Sequence, residues 1–565
     1  MPDQNEELIL LLKQINRQQE EQIKTQTETI KTLNKTISDM QASIVNLNET
    51  IDELKRKLFG RSSEKKAVPD QESEEESPID IQESGTIQVQ SHTRTRKKKS
   101  VREDLYKALP VRDVKIDVPD KDRFCPDCDA PMEHVGYHLV REELRITPAK
   151  VERIRYFEET MMCPVCKEED DSTFVRAKAP TPLMVHSPAS ASMVAEVMYR
   201  KSCLYLPFYR QEKDWQQEGV PIPRETAANW YNTCALKYLL PVYQRLHQEL
   251  LKRSVIHVDE VPCQVLKEPG KDAASKSYMW IYLSGTDGLP GIVLYDYRPG
   301  RSGDYPIDFL NGYNGYIHCD GYSAYGRIED VMLVCCLAHC RRKFFEAIPK
   351  ERRTRVKLLD INSEQNIPEP AEDPEKAAGL LPAEIGVAFC NRLFFLERCY
   401  KDLSSEDRKL KRLEKEPEVW NRFWNWIDQL KPSGGSKLEK AVNYAKNHKE
   451  QLMNYLLDGR CEISNNAAER RAKSYATGRK NFLFHVTPDG AMASAIVMSL
   501  IETAKANKLN IFQYLYTLLL YMPDYTEGSA GIEQLLPWSD FIKKHCTGLK
   551  DTESNTPEER EELPV

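Results

Sequence analysis

SVIHVDE, residues 254–260, is the stretch on which the fold turns: three β-branched residues and a histidine lead straight into two acids, Asp259 and Glu260. It opens a block, residues 253–348, whose periodicity is that of strands. YMWIYL at 278–283, a glycine-containing turn at 284–291 and IVLYDY at 292–297 predict a hairpin. GYIHCDGY at 315–322 reads as another strand ending in Asp320-Gly321, and residues 331–337 as a fifth, with a helix from His339. Acids at strand ends are ordinary turn formers. Two of them on neighbouring strands, joined by a later glutamate, form a set that holds two divalent cations about 4 Å apart for an in-line phosphoryl displacement.

That glutamate is sought downstream in CEISNNAAERRAKSYATGRKNFLF, residues 461–484. Asn465, Asn466, Glu469 and Lys473 recur at helical spacing, which predicts one face of a helix opening near Ser464. Two acids, Glu462 and Glu469, stand among Arg470, Arg471, Lys473, Arg479 and Lys480. A carboxylate beside amides and guanidinium groups suits a metal ion and a phosphodiester bound together. Three antiparallel strands, then strand–helix alternation with an acid after the first and fourth strands, is an RNase H-like pattern.

The chain has 565 residues, which predicts roughly four domains of about 150 residues each. Hydrophobic residues make up 40 %, enough for real cores. No apolar run approaches the roughly 18 residues of a membrane span, and no basic-then-apolar leader opens the chain. Fifteen cysteines, partly in CxxC pairs, then read as thiols and metal ligands in a reducing compartment. The net charge of −7 averages unlike parts: acid collects at 72–76 and 551–562, and basic clusters stand elsewhere.

Before the core lie three further regions. Ile23, Ile30, Ile37, Ile44, Ile51 and Leu58 fall seven apart, with Leu33, Met40, Leu47 and Leu54 on the partner seam. Isoleucine at a and leucine at d predict a parallel two-stranded coiled coil over 1–60. Residues 61–104 carry few large apolar side chains and many charges, and read as a disordered linker. Cys125-Pro-Asp-Cys128 and Cys163-Pro-Val-Cys166 are two knuckles able to close one tetrahedral zinc site in a module over 105–178. The residues between them, Tyr137 to Thr160, alternate in short β-like runs. Residues 179–252 read as helical, compatible with a helix-turn-helix in which a glycine break at Gly219 precedes a long helix from Thr226 to Leu251.

Taken with these regions, HVDEVPCQV (257–265), HCDGYSAYG (318–326), CLAHCRRKFFEA (336–347), EISNNAAERRAKSYATGRKNFLF (462–484) and LKRKLFGRSSEK (54–65) resemble a DDE transposase of the IS-sixty-six type. The resemblance spans nearly the whole chain. It implies a multidomain α+β protein with an RNase H-like core over 253–505, a helical insertion at about 350–455, and C-terminal helices with an acidic tail over 506–565. It further implies metal-dependent strand cleavage and transfer at the terminal inverted repeats of an insertion sequence and at target DNA, in the bacterial cytoplasm at the nucleoid. Asp259, Asp320 and Glu469 are the expected ligands of Mg²⁺ or Mn²⁺. Glu469 is preferred over Glu462 because it stands inside the helix beside Arg470, whereas Glu462 precedes the cap. Arg341, Arg342, Lys343, Arg470, Arg479 and Lys480 are the expected DNA contacts. The expected partners are double-stranded DNA, a second copy through the coil, and accessory proteins of the same element; no membrane is implied. A second reading, a regulator that keeps the fold and DNA binding without the chemistry, is disfavoured by the three intact acids. A third, a stand-alone nuclease, leaves the coil and the zinc module without a purpose. Trp420, Trp424 and Trp426 in the insertion are read as core, and Cys335, Cys336 and Cys340 as packing thiols.

Elemental analysis of the pure protein is expected to find about one zinc per chain, held by Cys125, Cys128, Cys163 and Cys166. Cys163→Ser should lower that value and weaken end binding while the core stays folded; a wild-type value near zero would remove the site.

Overall fold

The computed structural model describes residues 151–162, 174–353, 380–525 and 531–550, with single positions outside these spans. The chain divides into two units, Met1–Glu142 and Glu143–Val565, and the regular strands and helices among the described residues all lie in the second. The coiled coil, the linker and all four knuckle cysteines lie outside the described residues.

Two short strands, β1 (Thr160–Met162) and β2 (Phe174–Arg176), pair antiparallel on either side of the second knuckle. The alternation expected up to Thr160 forms no ladder over 151–159, where the chain runs without regular structure. Four helices come next: α1 (Ala191–Ser202), α2 (Phe208–Gln217), α3 (Arg224–Cys234) and α4 (Leu240–Leu250). The long helix expected from Thr226 begins two residues earlier and is interrupted by a π-turn at Ala235–Leu239. Pro241, just beyond, lacks the N–H that would continue the α ladder and crowds the carbonyl four residues back.

The five-stranded sheet has the order β5–β4–β3–β6–β7. β3 (Val255–Gln264), β4 (Lys276–Ser284) and β5 (Val293–Arg298) are antiparallel; β6 (Gly315–Cys319) and β7 (Val331–Cys335) run parallel to β3, and a short helix α5 (Asp304–Phe309) links the halves. The expected strand ending at Asp259-Glu260 continues to Gln264, because β4 keeps pairing with it along its length. Its parallel partner β6 reaches only to His257↔His318. The acids therefore sit inside β3, at the point where β6 leaves it.

After β7 comes α6 (Leu337–Ala347), then the insertion, which among its described residues is helical: α7 (Pro382–Cys399), α8 (Ser405–Gln429), α9 (Lys437–Asn447) and α10 (Lys449–Met453). Then come α11 (Asn466–Phe482), α12 (Pro488–Ala506) and α13 (Ile511–Tyr521), followed by two short helices at Gly531–Gln534 and Asp540–Cys546. One sheet face, through Val261, Cys263, Met279, Ile281 and Tyr295, buries against Ala468 and Tyr475 of α11 and Ala491 and Ala495 of α12. The other, through Ile256, Val258, Trp280 and Tyr282, joins a core reaching Leu246 and Leu250 of α4. α13 packs on α1, so the two ends of this unit share that core. β5 is an edge strand, and α12 covers it: Thr503 accepts the Val293 N–H at 3.0 Å and Ser499 that of Tyr295 at 2.7 Å.

The insertion seats on α6. Trp420, Phe423, Trp426 and Phe389 form an edge-and-tilt cluster about Phe344, and all are buried. A Cβ at Gly386 would fall 2.4 Å from the Phe344 ring, so only glycine lets α7 approach this closely. The tryptophans are core. Below them the fully buried Arg412 forks onto Glu397 at 2.7 and 2.6 Å. It also donates to the main-chain oxygens of Tyr455, Asp458 and Cys461 at 2.9, 2.9 and 2.8 Å. One guanidinium thus ties the insertion to the segment that leads into α11.

Arg412→Ala leaves Glu397 and three carbonyls unpaired in the interior and should lower unfolding free energy by about 3–5 kcal/mol. Neighbouring Glu416 is pushed up to about 9, first by burial and then by the Glu397 charge, and so is neutral at pH 7. Glu416→Gln, still able to accept from the Tyr455 hydroxyl, should therefore cost under about 1 kcal/mol. Chemical denaturation of both variants checks the contrast.

Candidate active site

β3 and β6 run side by side with His257 opposite His318. Two residues further along β3 stands Asp259, and Asp320 follows the last residue of β6, two beyond His318, so both continue the face of the histidines by the two-residue period of a strand. That face is the one α11 covers. The imidazoles of His257 and His318 stack with centroids 4.3 Å apart, and burial holds both below the ordinary histidine range, His318 further lowered by its neighbour. They form a neutral floor beneath the acids.

Asn465 sets the position of the helix. Its side-chain amide donates to the Val258 carbonyl at 2.8 Å, and its carbonyl oxygen lies 2.9 Å from His257 Nδ1. Its main-chain N–H points to Cys336 Sγ at 3.1 Å. Asn465 is 1 % exposed and directly precedes α11. Glu469 comes one turn later and faces the acids. Asp259 is pushed up to about 7, chiefly by burial, then by the charge of Glu260, with Asp320 and Glu469 adding to the repulsion. Glu462 borders the histidine pair: its main-chain N–H points to His318 Nε2 at 3.4 Å, while its carboxylate accepts from the Thr286 hydroxyl at 3.4 Å, beyond the end of β4 that pairs with the start of β3.

Glu260, on the opposite face from Asp259, accepts from Arg301 at 2.7 Å and from the Tyr325 hydroxyl at 2.8 Å. Burial, then Asp320, raises its carboxyl. Nothing in the sequence marked Glu260 beyond its place next to Asp259. The turn after Asp320 is tight: Gly321 has φ +89°, and a Cβ there would meet His448 Nε2 at 3.0 Å and the Tyr444 hydroxyl at 3.1 Å. Tyr444 donates to the Asp320 carbonyl at 2.8 Å. The insertion therefore closes over the second aspartate.

His339 lies in the first turn of α6, with Nδ1 3.6 Å from Glu469 Oε1. Neither atom reaches solvent or has a hydrogen-bond partner. Cys336, His339 and Glu469 offer ligand atoms all within 4.8 Å of one another. The Cys336 thiol is pushed up to about 12 by burial, and desolvation lowers His339 against the opposing pull of Glu469.

The six expected DNA contacts separate. Arg470 and Lys480 are exposed on α11. Arg342 is half-exposed, with Nη2 3.4 Å from Glu469 Oε2. Lys343 lies 4.9 Å over the Tyr444 ring. Arg341 is turned to Asn391 at 2.6 Å, and Arg479 to the Pro262 carbonyl.

A family profile described as "Transposase IS66 family" matches residues 186–493. Three others match around it: "Transposase C of IS166 homeodomain" at 46–114, "zinc-finger binding domain of transposase IS66" at 122–167, and "IS66 C-terminal element" at 499–538. Two proteins of Sinorhizobium fredii, the uncharacterized y4jD and y4hP, are similar. y4jD is 27 % identical over 77 % of this chain and 81 % of its own length; y4hP is 25 % identical over 87 % and 88 %. The solved "Drosophila P element transposase strand transfer complex" aligns at 12 % identity with a TM-score of 0.29, over 56 % of this chain and 92 % of that one. That likeness is too low to carry an argument. Among the described residues no helix is long and apolar enough to cross a membrane.

Because the folded state holds Asp259 near 7 while an unfolded aspartate titrates near 3.9, the proton is bound more tightly when folded. Its contribution to stability is full below about pH 4 and is lost as pH rises through about 7. Cation-free protein should melt lower at pH 8 than at pH 6, and Mn²⁺ should raise Tm more at pH 8. Equal shifts at both values, measured by calorimetry, would argue against this cluster as the cation site.

Proposed function

This chain belongs to the IS66 transposase family, and from that premise we propose that it cleaves and joins DNA at the ends of an insertion sequence with an RNase H-like core of the DDE type. The observation that carries the reading is the meeting of Asp259, Asp320 and Glu469 where β6 parts from β3. The strand order, with three antiparallel strands and two parallel ones, supports the RNase H-like assignment. The acids fit divalent cations: Asp259 is repelled by its neighbours, and Glu469 Oε1 is buried without a hydrogen-bond partner. Mg²⁺ or Mn²⁺ bound there supplies activation of the attacking oxygen and neutralisation of charge on the leaving one.

The chain's own residues do the positioning. Asn465 holds Glu469 in register with β3, and Tyr444 holds the turn after Asp320. Arg342, Lys343, Arg470 and Lys480 supply positive charge for DNA phosphates, whereas Arg341 and Arg479 are spent inside the fold. Water serves as nucleophile for cleavage and a DNA 3′-hydroxyl for joining, so no covalent protein–DNA adduct forms. Zinc held by Cys125, Cys128, Cys163 and Cys166, all within the matched zinc-finger region, would order the module ahead of the core. A parallel coil over residues 1–60 would pair two copies on the two ends of the element; a monomeric mass by light scattering would remove that part. The site of action is the bacterial cytoplasm.

Asp259→Ala, Asp320→Ala and Glu469→Ala should each cut strand transfer by about a thousandfold or more, as loss of transition-state stabilisation does. Affinity for end DNA, carried by cations, should change by less than about threefold. Glu462→Ala should stay active. Gel-shift and strand-transfer assays on DNA bearing the element's own ends decide it: full transfer by all three variants would sink the metal reading, and a dead Glu462→Ala with an active Glu469→Ala would move the third ligand.

A further inference from the structure

The pairing of His339 with Glu469 is not accounted for by the three acids alone. The two side chains approach from different helices, α6 and α11, and present Nδ1 and Oε1 to each other at 3.6 Å. Both atoms are shut from solvent, and neither has a hydrogen-bond partner. That separation is too long for a hydrogen bond. Two donors about 2.1 Å from one ion stand about 3.0–3.5 Å apart, so a small closure would bring both onto a single cation. Cys336, the third group nearby, is engaged: its sulfur takes the Asn465 N–H that fixes α11.

We propose that His339 is a direct ligand, through Nδ1, of the cation that Glu469 holds, which makes that position a mixed nitrogen–oxygen site. The inference rests on reading the acids as a metal site. Its consequence is selectivity. Mg²⁺ favours oxygen donors and keeps its waters, whereas imidazole suits Mn²⁺ and the later divalent metals. The site therefore prefers Mn²⁺ over Mg²⁺. Ligation through Nδ1 puts the imidazole proton on Nε2, which ends the 3.4 Å contact from Arg342 Nη1. Arg342 also gives up its 3.4 Å approach to Glu469 Oε2. With 52 % of its side chain exposed, it is free to turn outward to a phosphate. Arg342 would thus neutralise Glu469 before the metal arrives and contact DNA afterwards.

The test uses the full chain loaded with Mn²⁺ in the absence of DNA, read by pulsed EPR for coupling to a directly bound nitrogen, with ¹⁵N-histidine labelling to assign it to imidazole. The wild type should show one histidine nitrogen. His339→Gln should lose it, bind Mn²⁺ about tenfold or more weakly, and change Mg²⁺ affinity by less than about threefold. Bound Mn²⁺ without nitrogen coupling in the wild type, or coupling that survives in His339→Gln, would overturn the inference and leave the acid site standing. Failure of the wild type to bind Mn²⁺ at any site removed by Asp259→Asn would overturn both. The labelled wild-type spectrum answers the question even if the variant does not fold.

Discussion

Asn465 is the side chain on which the geometry of this site depends. It is buried, it precedes α11, and it bonds to β3 through both ends of its amide while its own N–H engages Cys336 beyond β7. A buried amide satisfied on both sides is worth most where leaving it unsatisfied is most costly. Here its partners lie within β3 and just past the end of β7, so the helix has one docking position. Glu469, one turn on, inherits that position. Remove the tether and the third acid depends on the rest of α11, on the buried stripe of Ala468 and Tyr475 and on the more distant bonds of Arg471 to Glu502 and of Arg479 to the Pro262 carbonyl.

A second constraint acts from the insertion. Arg412 spends its donors on Glu397 and on three carbonyls of the segment before α11. Tyr444 and His448 press on the turn at Gly321. Between them, the insertion grips both the approach to the glutamate helix and the turn after the second aspartate. Its aromatic cluster is the anchor that lets it do so, because Phe344 belongs to α6 and packs against rings of α8, with Gly386 of α7 close beside it. The insertion is a scaffold for the site as much as an addition to it.

The electrostatics arise from this confinement. Four carboxylates and three imidazoles gather where few protein cations approach. The histidines respond by staying neutral and Asp259 by holding its proton to about 7. Arg301 and Arg342 each blunt one neighbouring glutamate, and neither is aimed at Asp259.

The strands, the helix formers of the insertion and the candidate acids were legible in the sequence, because a two-residue or 3.6-residue period and a β-branched run ending in acid are local signals. Local signals also misplaced things. Asp259 looked like a strand end, since pairing with β4 beyond it depends on a distant segment. The helix expected over 226–251 is broken by a π-turn at Ala235–Leu239, just ahead of Pro241. Arg341 and Arg479 looked like free cations until Asn391 and the Pro262 carbonyl were found beside them. The reach of Asn465 to His257 joins residues 208 positions apart, and that of Arg412 to Cys461 residues 49 apart. The stacking of His257 on His318 and the meeting of His339 with Glu469 are likewise distant in the chain. Local pattern marked the candidate acids; which atoms face each other was decided by the register of parallel strands and the seating of one helix, because such contacts exist only once the whole core has closed.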